Sequence, residues 1–139
     1  MSEVMTHGAK LTDKKVHHNI EDTSFFDIPL ATTTENFCKH EGKLIPLNDA
    51  VTVLRTDTNT VLGRPRSDKY KVINPKLLFD RHAEKLLESD LPTDNLEITD
   101  WSFDNGAKSL RTTKFNDLDF NIGGGDTVKA RQDIFTSLD

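Results

Sequence analysis

The chain has 139 residues, of which 35% are apolar and 29% are charged, and its formal net charge at pH 7 is −5. This length suits one domain better than two, and the apolar share allows only a modest core. The acidic balance argues mildly against a general nucleic-acid-binding protein but leaves room for a local basic site. Cys38 is the one cysteine, which excludes an intrachain disulfide and a cysteine-rich zinc site and favours a reducing compartment.

The N-terminal region is polar and shows no sustained hydrophobic period. It lacks the apolar core of a signal peptide, and no apolar run in the chain approaches the roughly 20 residues that span a bilayer. We therefore predict a soluble, cytoplasmic protein without a membrane partner. Residues 1–24 are predicted to form a mobile polar leader, followed by a single domain at 25–139.

The first half of that domain carries the signals of extended chain. Residues 25–37 are predicted to start extended, because Pro29 disfavours helical geometry at the residue before it, and to continue into a turn or short helix. Val51 and Val53 show the period of two expected of a half-buried strand. Together with a Thr-Asp-Thr-Asn turn at 56–59, this pattern predicts a hairpin over Ala50–Leu62.

A strand followed by a helix is predicted after the hairpin. Alternation over 69–73 predicts a strand with Tyr70 and Val72 on one face. Asn74 is a favourable N-cap, and Pro75 suits the first helical position, where its missing N–H costs nothing. The helix is predicted to cover about 75–89, with an apolar stripe made of Phe79, Ala83, Leu86 and Leu87, flanked by Leu78.

The second half of the chain predicts further strands joined by glycine turns. Strand patterns cover 95–104, 108–117 and 127–135, with turns at Asn105-Gly106 and at 121–126. Short turns between such strands favour antiparallel pairing. The fold class predicted for the whole is α+β: a mostly antiparallel sheet with one main helix packed on it.

Residues 63–71 are the most basic stretch, with a local charge of +3. Guanidinium and ammonium groups beside an aromatic ring suit the backbone and bases of a nucleic acid. The candidate nucleic-acid-binding residues lie in the basic loop 64–71 and are Arg64, Arg66, Lys69, Tyr70 and Lys71. The alternative is a solvated turn in which Tyr70 is simply a core residue.

Other candidate chemistries fail on spacing. The Gly-Gly-Gly-Asp at 123–126 lacks the Gly-Lys-Ser/Thr of a phosphate loop, and an EF-hand starting at Asp117 would place Ile122 and Val128 where glycine and glutamate are needed. Cys38 and His82 have no partner in a recognised catalytic or metal pattern. The sequence thus predicts no cofactor, no metal and no catalytic residue, and it leaves enzyme activity unsupported. The acidic run from Glu84 to Asp104 is predicted to be a solvated face.

The stretch from 62 to 80 also resembles a known family. Gly63, then Ser67-Asp68-x-Tyr70-x-Val72-Ile73-Asn74, then Leu78-Phe79 and a helix, is similar to the start of a phage- and plasmid-associated domain of unknown function, family nine-three-two. The strand, glycine turn and strand of 110–139 are similar to the same family. The resemblance implies a mobile-element origin, a host-cell location and a missing C-terminal half, either in a natural short form or in a cut copy. It implies no activity.

Two functions of different classes follow from these observations. The first is a phage- or mobile-element-encoded, non-catalytic binding protein that contacts nucleic acid through the basic loop. The second is a structural or assembly protein that binds a protein partner, or a copy of itself, through the leader or an exposed sheet edge.

Overall fold

The computed structural model describes residues 8–138 and contains ten strands and one α-helix in that range. Two short stretches of 3₁₀ helix lie at Ser24–Phe26 and Asp104–Gly106. The α-helix, α1, covers Pro75–Glu88. The strands are β1 Leu11–His17, β2 Leu30–Thr33, β3 Phe37–His40, β4 Lys43–Pro46, β5 Ala50–Arg55, β6 Thr60–Val61, β7 Arg66–Ser67, β8 Leu96–Phe103, β9 Lys108–Gly123 and β10 Asp126–Ser137.

The larger sheet has the strand order β1-β8-β9-β10, with every pair antiparallel. Strands β8, β9 and β10 follow one another along the chain, as the predicted glycine turns require, and the predicted α+β class is confirmed with strand predominating over helix. Helix α1 packs on one face of this sheet. The buried residues of that contact are Ile20, Ala83, Leu86, Leu96, Ile98 and Phe115.

Strand β1 lies inside the segment predicted as a mobile polar leader. It pairs with β8 from Leu11 opposite Phe103 to His17 opposite Ile98, so residues 11–17 are part of the sheet. The prediction missed this strand because its side chains are mostly exposed and charged, and an edge strand needs no apolar period to pair through its backbone. The remainder of the predicted leader before Gly8 lies outside the described residues.

Helix α1 begins where the sequence predicted. The Asn74 side chain accepts a hydrogen bond from the Lys76 backbone N–H at 3.0 Å, and Pro75 occupies the first turn. The Asn74 amide also donates to the carbonyl of Ile28 at 2.8 Å, which ties the start of the helix to the chain before β2. One side chain therefore sets both the start of the helix and its position.

The apolar stripe of α1 is narrower than predicted. Phe79, Ala83 and Leu86 are buried, as expected. Leu87 is 44% exposed, so its predicted burial is wrong, and Leu78, which flanks the stripe, is 40% exposed. Ala83 and Leu86 pack into the buried cluster that the helix shares with the sheet. The segment carrying Phe26 covers Phe79, because the Phe26 ring stacks on the Phe79 ring at 3.9 Å between centroids.

The smaller sheet has β5 in its centre, paired with β2, β6 and β7. The predicted hairpin over Ala50–Leu62 is confirmed by the pairing of β5 with β6. Its buried cluster, which we call the small core, consists of Ile28, Val53, Leu62, Ala107 and Leu138, with Leu30, Tyr70 and Val72 packed against it.

Gly106 lies where the turn between β8 and β9 closely approaches side chains of the smaller sheet and of the segment before it. Its φ is +96°, and an added Cβ would lie 3.0 Å from the Arg55 guanidinium and 3.1 Å from the Ile28 side chain. Arg55 donates to the carbonyl of Asn105 at 2.8 Å. The predicted Asn105-Gly106 turn is thus a docking point between the sheets, and glycine is needed there for both conformation and space.

Two hairpins project from the folded body. Within residues 8–138, strands β3 and β4 pair only with each other, and all their residues are exposed. Beyond Phe115, β9 pairs only with β10, so residues 116–129 form a two-stranded arm that ends in the predicted glycine turn. Both hairpins carry exposed apolar side chains: Phe37, Leu44 and Ile45 on the first, and Phe120, Ile122 and Val128 on the arm.

Candidate nucleic-acid interface

The basic loop is anchored at its middle by main-chain contacts. Strand β7 pairs Arg66 with Val51 and Ser67 with Ala50. The Asp68 N–H donates to the carbonyl of Asp49, and the Tyr70 N–H donates to the carbonyl of Ser67. The loop is therefore a tight turn held against β5. The strand predicted at 69–73 is absent. Within the basic loop, only Arg66 and Ser67 belong to a strand.

The strand prediction failed because alternation alone does not distinguish a strand from irregular chain that packs one side. Tyr70 and Val72 do share a face, as predicted, and both pack against the small core. Residues 68–73 have no neighbouring strand to pair with among the described residues. The alternation of apolar and polar residues in this segment reflects the burial of two side chains, Tyr70 and Val72. It does not reflect backbone hydrogen bonding to a neighbouring strand.

Tyr70 and Arg66 form a unit. The Arg66 guanidinium lies over the Tyr70 ring at 4.9 Å from the centroid, while Tyr70 is half-buried against the small core. A cation over an aromatic face is attracted by the ring quadrupole. The Arg66 guanidinium thus already covers one face of the Tyr70 ring. That face is not free to stack on a nucleic-acid base.

Four cations of this loop have no carboxylate partner in the part of the chain that the structure describes. Arg64, Lys69 and Lys71 are exposed and Arg66 is half-buried. Elsewhere, most lysines and arginines form ion pairs: the paired ones are Lys15, Arg55, Lys76, Arg81, Lys85, Lys108, Arg111, Lys114, Lys129 and Arg131. The loop therefore concentrates positive charge that the fold itself does not neutralise.

The surface beside these cations is concave. A groove of about 470 Å³ is lined by Gly63, Arg64, Pro65 and Arg66. Gly63 has φ of +97°, a left-handed conformation that favours glycine and turns the chain out of β6 into the loop. Two guanidinium groups and a groove are suited to a phosphate-bearing ligand, because the planar fork of arginine matches phosphate oxygens in pairs.

The acidic run after α1 does not neutralise the basic loop. Glu97 pairs with Lys114 at 3.7 Å, Asp104 with Lys108 at 3.4 Å, and Asp100 with Arg111 at 2.8 Å. These partners all lie on β9. The prediction of a solvated acidic face is wrong for Asp100, which is fully buried.

Asp100 belongs to a buried polar network that sequence reasoning missed. Arg111 donates from Nε and Nη2 to both Asp100 oxygens, at 2.8 and 3.0 Å, and its remaining donors bond the carbonyls of Ile20 and Asp22. His17 Nε2 lies 2.8 Å from the second Asp100 oxygen. The signal was present as opposite charges inside two neighbouring strand patterns, but only the register places them directly opposite.

This network stabilises the fold and is not arranged as a ligand site. Arg111 and Asp100 are both fully buried, and the guanidinium lies over the rings of Phe26 and Phe79. Two of its bonds go to backbone carbonyls of the segment between β1 and β2. The arginine thereby fastens that segment to the sheet, and a buried cation with this many partners is unavailable to a ligand.

The residues considered for catalysis are scattered. His82 Nε2 bonds Gln132 Oε1 at 2.8 Å, and Cys38 is exposed on the projecting hairpin β3–β4. A cavity of about 430 Å³ is lined by Glu21, Asp80, Glu84 and Glu88 with two apolar residues. Its Asp80 has a lowered pKa because Lys76 and then Thr23 donate hydrogen bonds to the carboxylate, so it is a poor proton donor at neutral pH.

Within residues 8–138 no group of three or more histidine, cysteine or acidic side chains is arranged to hold a metal ion. The one helix of this range is neither long nor apolar enough to cross a bilayer.

Comparison of the chain with protein-family models, with curated proteins and with solved structures found no match. The resemblance of roughly residues 44–139 to a phage- and plasmid-associated family therefore stays a prediction.

Proposed function

We propose that this chain is a non-catalytic binding protein that contacts the sugar-phosphate backbone of single-stranded nucleic acid through the basic loop. The observation that supports the proposal is the set of four cations without a carboxylate partner among the described residues, placed on a loop fixed to β5 and beside an open groove. Arg64 and Arg66 contact phosphate at the groove, and Lys69 and Lys71 extend the positive surface.

Tyr70 has a positioning role in this proposal. Its ring holds the Arg66 guanidinium at 4.9 Å, so Arg66 is restrained before any ligand arrives. A restrained side chain loses less conformational entropy on binding than a free one. The mobile-element origin implied by the family resemblance fits a protein that acts on nucleic acid in an infected cell, and it belongs to the same proposal.

The direct test is titration of a fluorescent oligothymidylate by anisotropy at several salt concentrations. Each phosphate contact to a single strand contributes about −0.7 to the slope of log K against log salt, so four contacts predict a slope of about −3. Arg64→Ala with Arg66→Ala removes two contacts and should reduce the slope to about −1.4.

The matched control is Arg81→Ala with Lys85→Ala on α1. It removes the same charge from exposed positions outside the loop, 69% and 62% exposed. Binding that is absent from the wild type at low salt would overturn the proposal. Equal weakening by the two double variants would overturn it as well, because the effect would then come from overall charge.

Tyr70 is tested separately, since it also packs against the small core. Tyr70→Phe keeps the ring beneath Arg66, so affinity should be unchanged. Tyr70→Leu keeps apolar volume but removes the cation–ring contact, which is worth about 0.5–1 kcal/mol at a partly exposed site, so affinity should fall about two- to fivefold. Equal affinity of Tyr70→Leu and wild type would remove Tyr70 from the proposed interface.

A further inference from the structure

Strand β10 presents a long open edge. It pairs with β9 on one side, and no other strand in residues 8–138 pairs with it. At both register shifts of this pair the additional residues lie in β9, so β10 itself runs without interruption from Thr127 to Ser137. An uninterrupted edge strand exposes a row of backbone N–H and C=O groups to any strand of matching register.

The charges that usually protect such an edge are occupied within the chain. Lys129 Nζ lies 3.0 Å from Asp119 and donates to the carbonyl of Asn116 at 2.9 Å. Arg131 donates from Nε and Nη2 to both oxygens of Asp133, at 2.9 and 3.0 Å. Edge lysines and arginines deter pairing when their charge is uncompensated. Here each cation already has a carboxylate beside it.

We propose that β10 pairs antiparallel with β10 of a second copy of this chain, about a two-fold axis at Gln132, so that two four-stranded sheets form one continuous eight-stranded sheet. An isologous pairing of this kind uses the same edge in both copies and closes as a dimer. The proposal is independent of nucleic-acid binding, because the basic loop is not part of β10.

Charge selects the register. With Gln132 opposite its own copy, Arg131 of each chain faces Asp133 of the other, which gives two complementary pairs. A shift that places Arg131 opposite its own copy, or Asp133 opposite its own copy, brings like charges together. Opposite charges directly across two strands stabilise the pair, whereas like charges destabilise it.

The same register also matches the apolar side chains. Ala130 faces Ile134 of the second copy, and Val128 faces Thr136. The exposed ring of Phe135, 44% accessible, faces the aliphatic stem of Lys129. Each of these pairs occurs twice because of the symmetry. A strand from an unrelated protein would satisfy the backbone but would not reproduce these self-complementary pairs.

The experiment measures molar mass by sedimentation equilibrium for wild type, Arg131→Asp and Asp133→Arg. The wild type should dimerise with rising concentration. Each single variant places two like-charged pairs across the axis, so its dimer dissociation constant should rise about tenfold or more. Mixing the two variants in equal amounts restores complementary charges between different chains, so the mixture should dimerise with a lower dissociation constant than either variant alone.

Matched controls come from the exposed ion pair on α1. Lys85→Asp and Glu88→Arg reverse charge in the same way at side chains that are 62% and 59% exposed, in the last turn of α1 and outside β10, and should leave the dimer constant unchanged. Circular dichroism verifies that every variant folds. A wild type that stays monomeric at all concentrations overturns the proposal, and so does a dimer dissociation constant that is unchanged in both single variants. A mixture that fails to dimerise excludes this register and with it the two-fold pairing at Gln132.

Discussion

Arg111 ties the larger sheet to the segment between β1 and β2. It is a charged group at zero exposure, and its cost of desolvation is offset by a bidentate carboxylate and two backbone carbonyls. Burial of an ion pair contributes little net stability compared with a well-packed apolar pair, but loss of one partner leaves a charge buried without compensation. The two residues are therefore needed together.

Removal of Asp100 should show this dependence. We expect Asp100→Ala to lower the free energy of unfolding by about 3–5 kcal/mol, because Arg111 would keep its burial and lose its counter-ion. Lys114→Ala, which breaks the exposed pair with Glu97, should cost about 0–1 kcal/mol. Urea denaturation of both variants measures the difference. A similar small loss in both would contradict the assigned role of the network.

At the scale of elements, α1 shows what local sequence determines. Its start is set by Asn74 and Pro75, and both signals act within four residues of the chain, so the sequence predicted the helix correctly. Its burial depends on the neighbouring elements, which local sequence does not specify. Leu87 fits an amphipathic pattern as well as Leu86 does, yet only Leu86 meets the sheet.

Strands were predicted where they carry an apolar face and missed where only backbone pairing holds them. Strands β8, β9 and β10 were found because alternation or glycine turns mark them. Strand β1 was missed because it pairs at the sheet edge with charged side chains outward. The candidate interface was likewise predicted only in part. Its cations could be identified from the sequence, but the contact between the Arg66 guanidinium and the Tyr70 ring is seen only in the folded chain.

The double role of Asn74 provides a test of how α1 is held. Asn74→Ala removes both the N-cap bond to Lys76 and the tether to the Ile28 carbonyl. A serine at this position still caps a helix but is too short to reach Ile28. We expect the alanine variant to lose about 0.5–2 kcal/mol more stability than the serine variant, because only the alanine variant lacks a cap.

Thermal or urea unfolding of the two Asn74 variants measures both contributions. The difference between wild type and Asn74→Ser reports the tether, and the difference between the two variants reports the cap. Equal stability of the alanine and serine variants would show that the side chain does not act as a cap in solution.

For the whole molecule, the distribution of charged residues says more about possible ligands than the net charge does. The net charge of −5 hides a separation: many acids are paired with nearby cations, while the loop 64–71 keeps its cations unpaired with acids in the described part of the chain. Paired carboxylates link stability to pH. Lys15, followed by Ser24, lowers the pKa of Asp22, and Arg131 lowers that of Asp133.

Asp80 makes the packing of α1 on the segment carrying Thr23 dependent on pH. Its carboxylate accepts hydrogen bonds from Lys76 at 2.7 Å and from Thr23, and these lower its pKa in the folded state. A carboxyl group with a depressed folded pKa stabilises the fold above its unfolded pKa of about 3.9, and that contribution is lost as the pH falls through the folded value. The fold should therefore lose stability as the pH drops from about 5 towards 2.

Asp80→Asn isolates the contribution of this carboxylate. The variant should be less stable than wild type at pH 7. The gap should narrow as the pH falls from about 4 towards the lowered pKa of the folded Asp80, because protonation of the wild-type carboxylate removes its charge-assisted bonds. Urea unfolding of both proteins between pH 3 and 7 measures the gap. Asp90→Asn, which makes the same charge change at an exposed residue after α1, is the control. A gap between wild type and Asp80→Asn that is as wide at pH 3 as at pH 7 would show that the side chain acts through its shape, and that the ionised carboxylate does not hold the helix to the segment carrying Thr23.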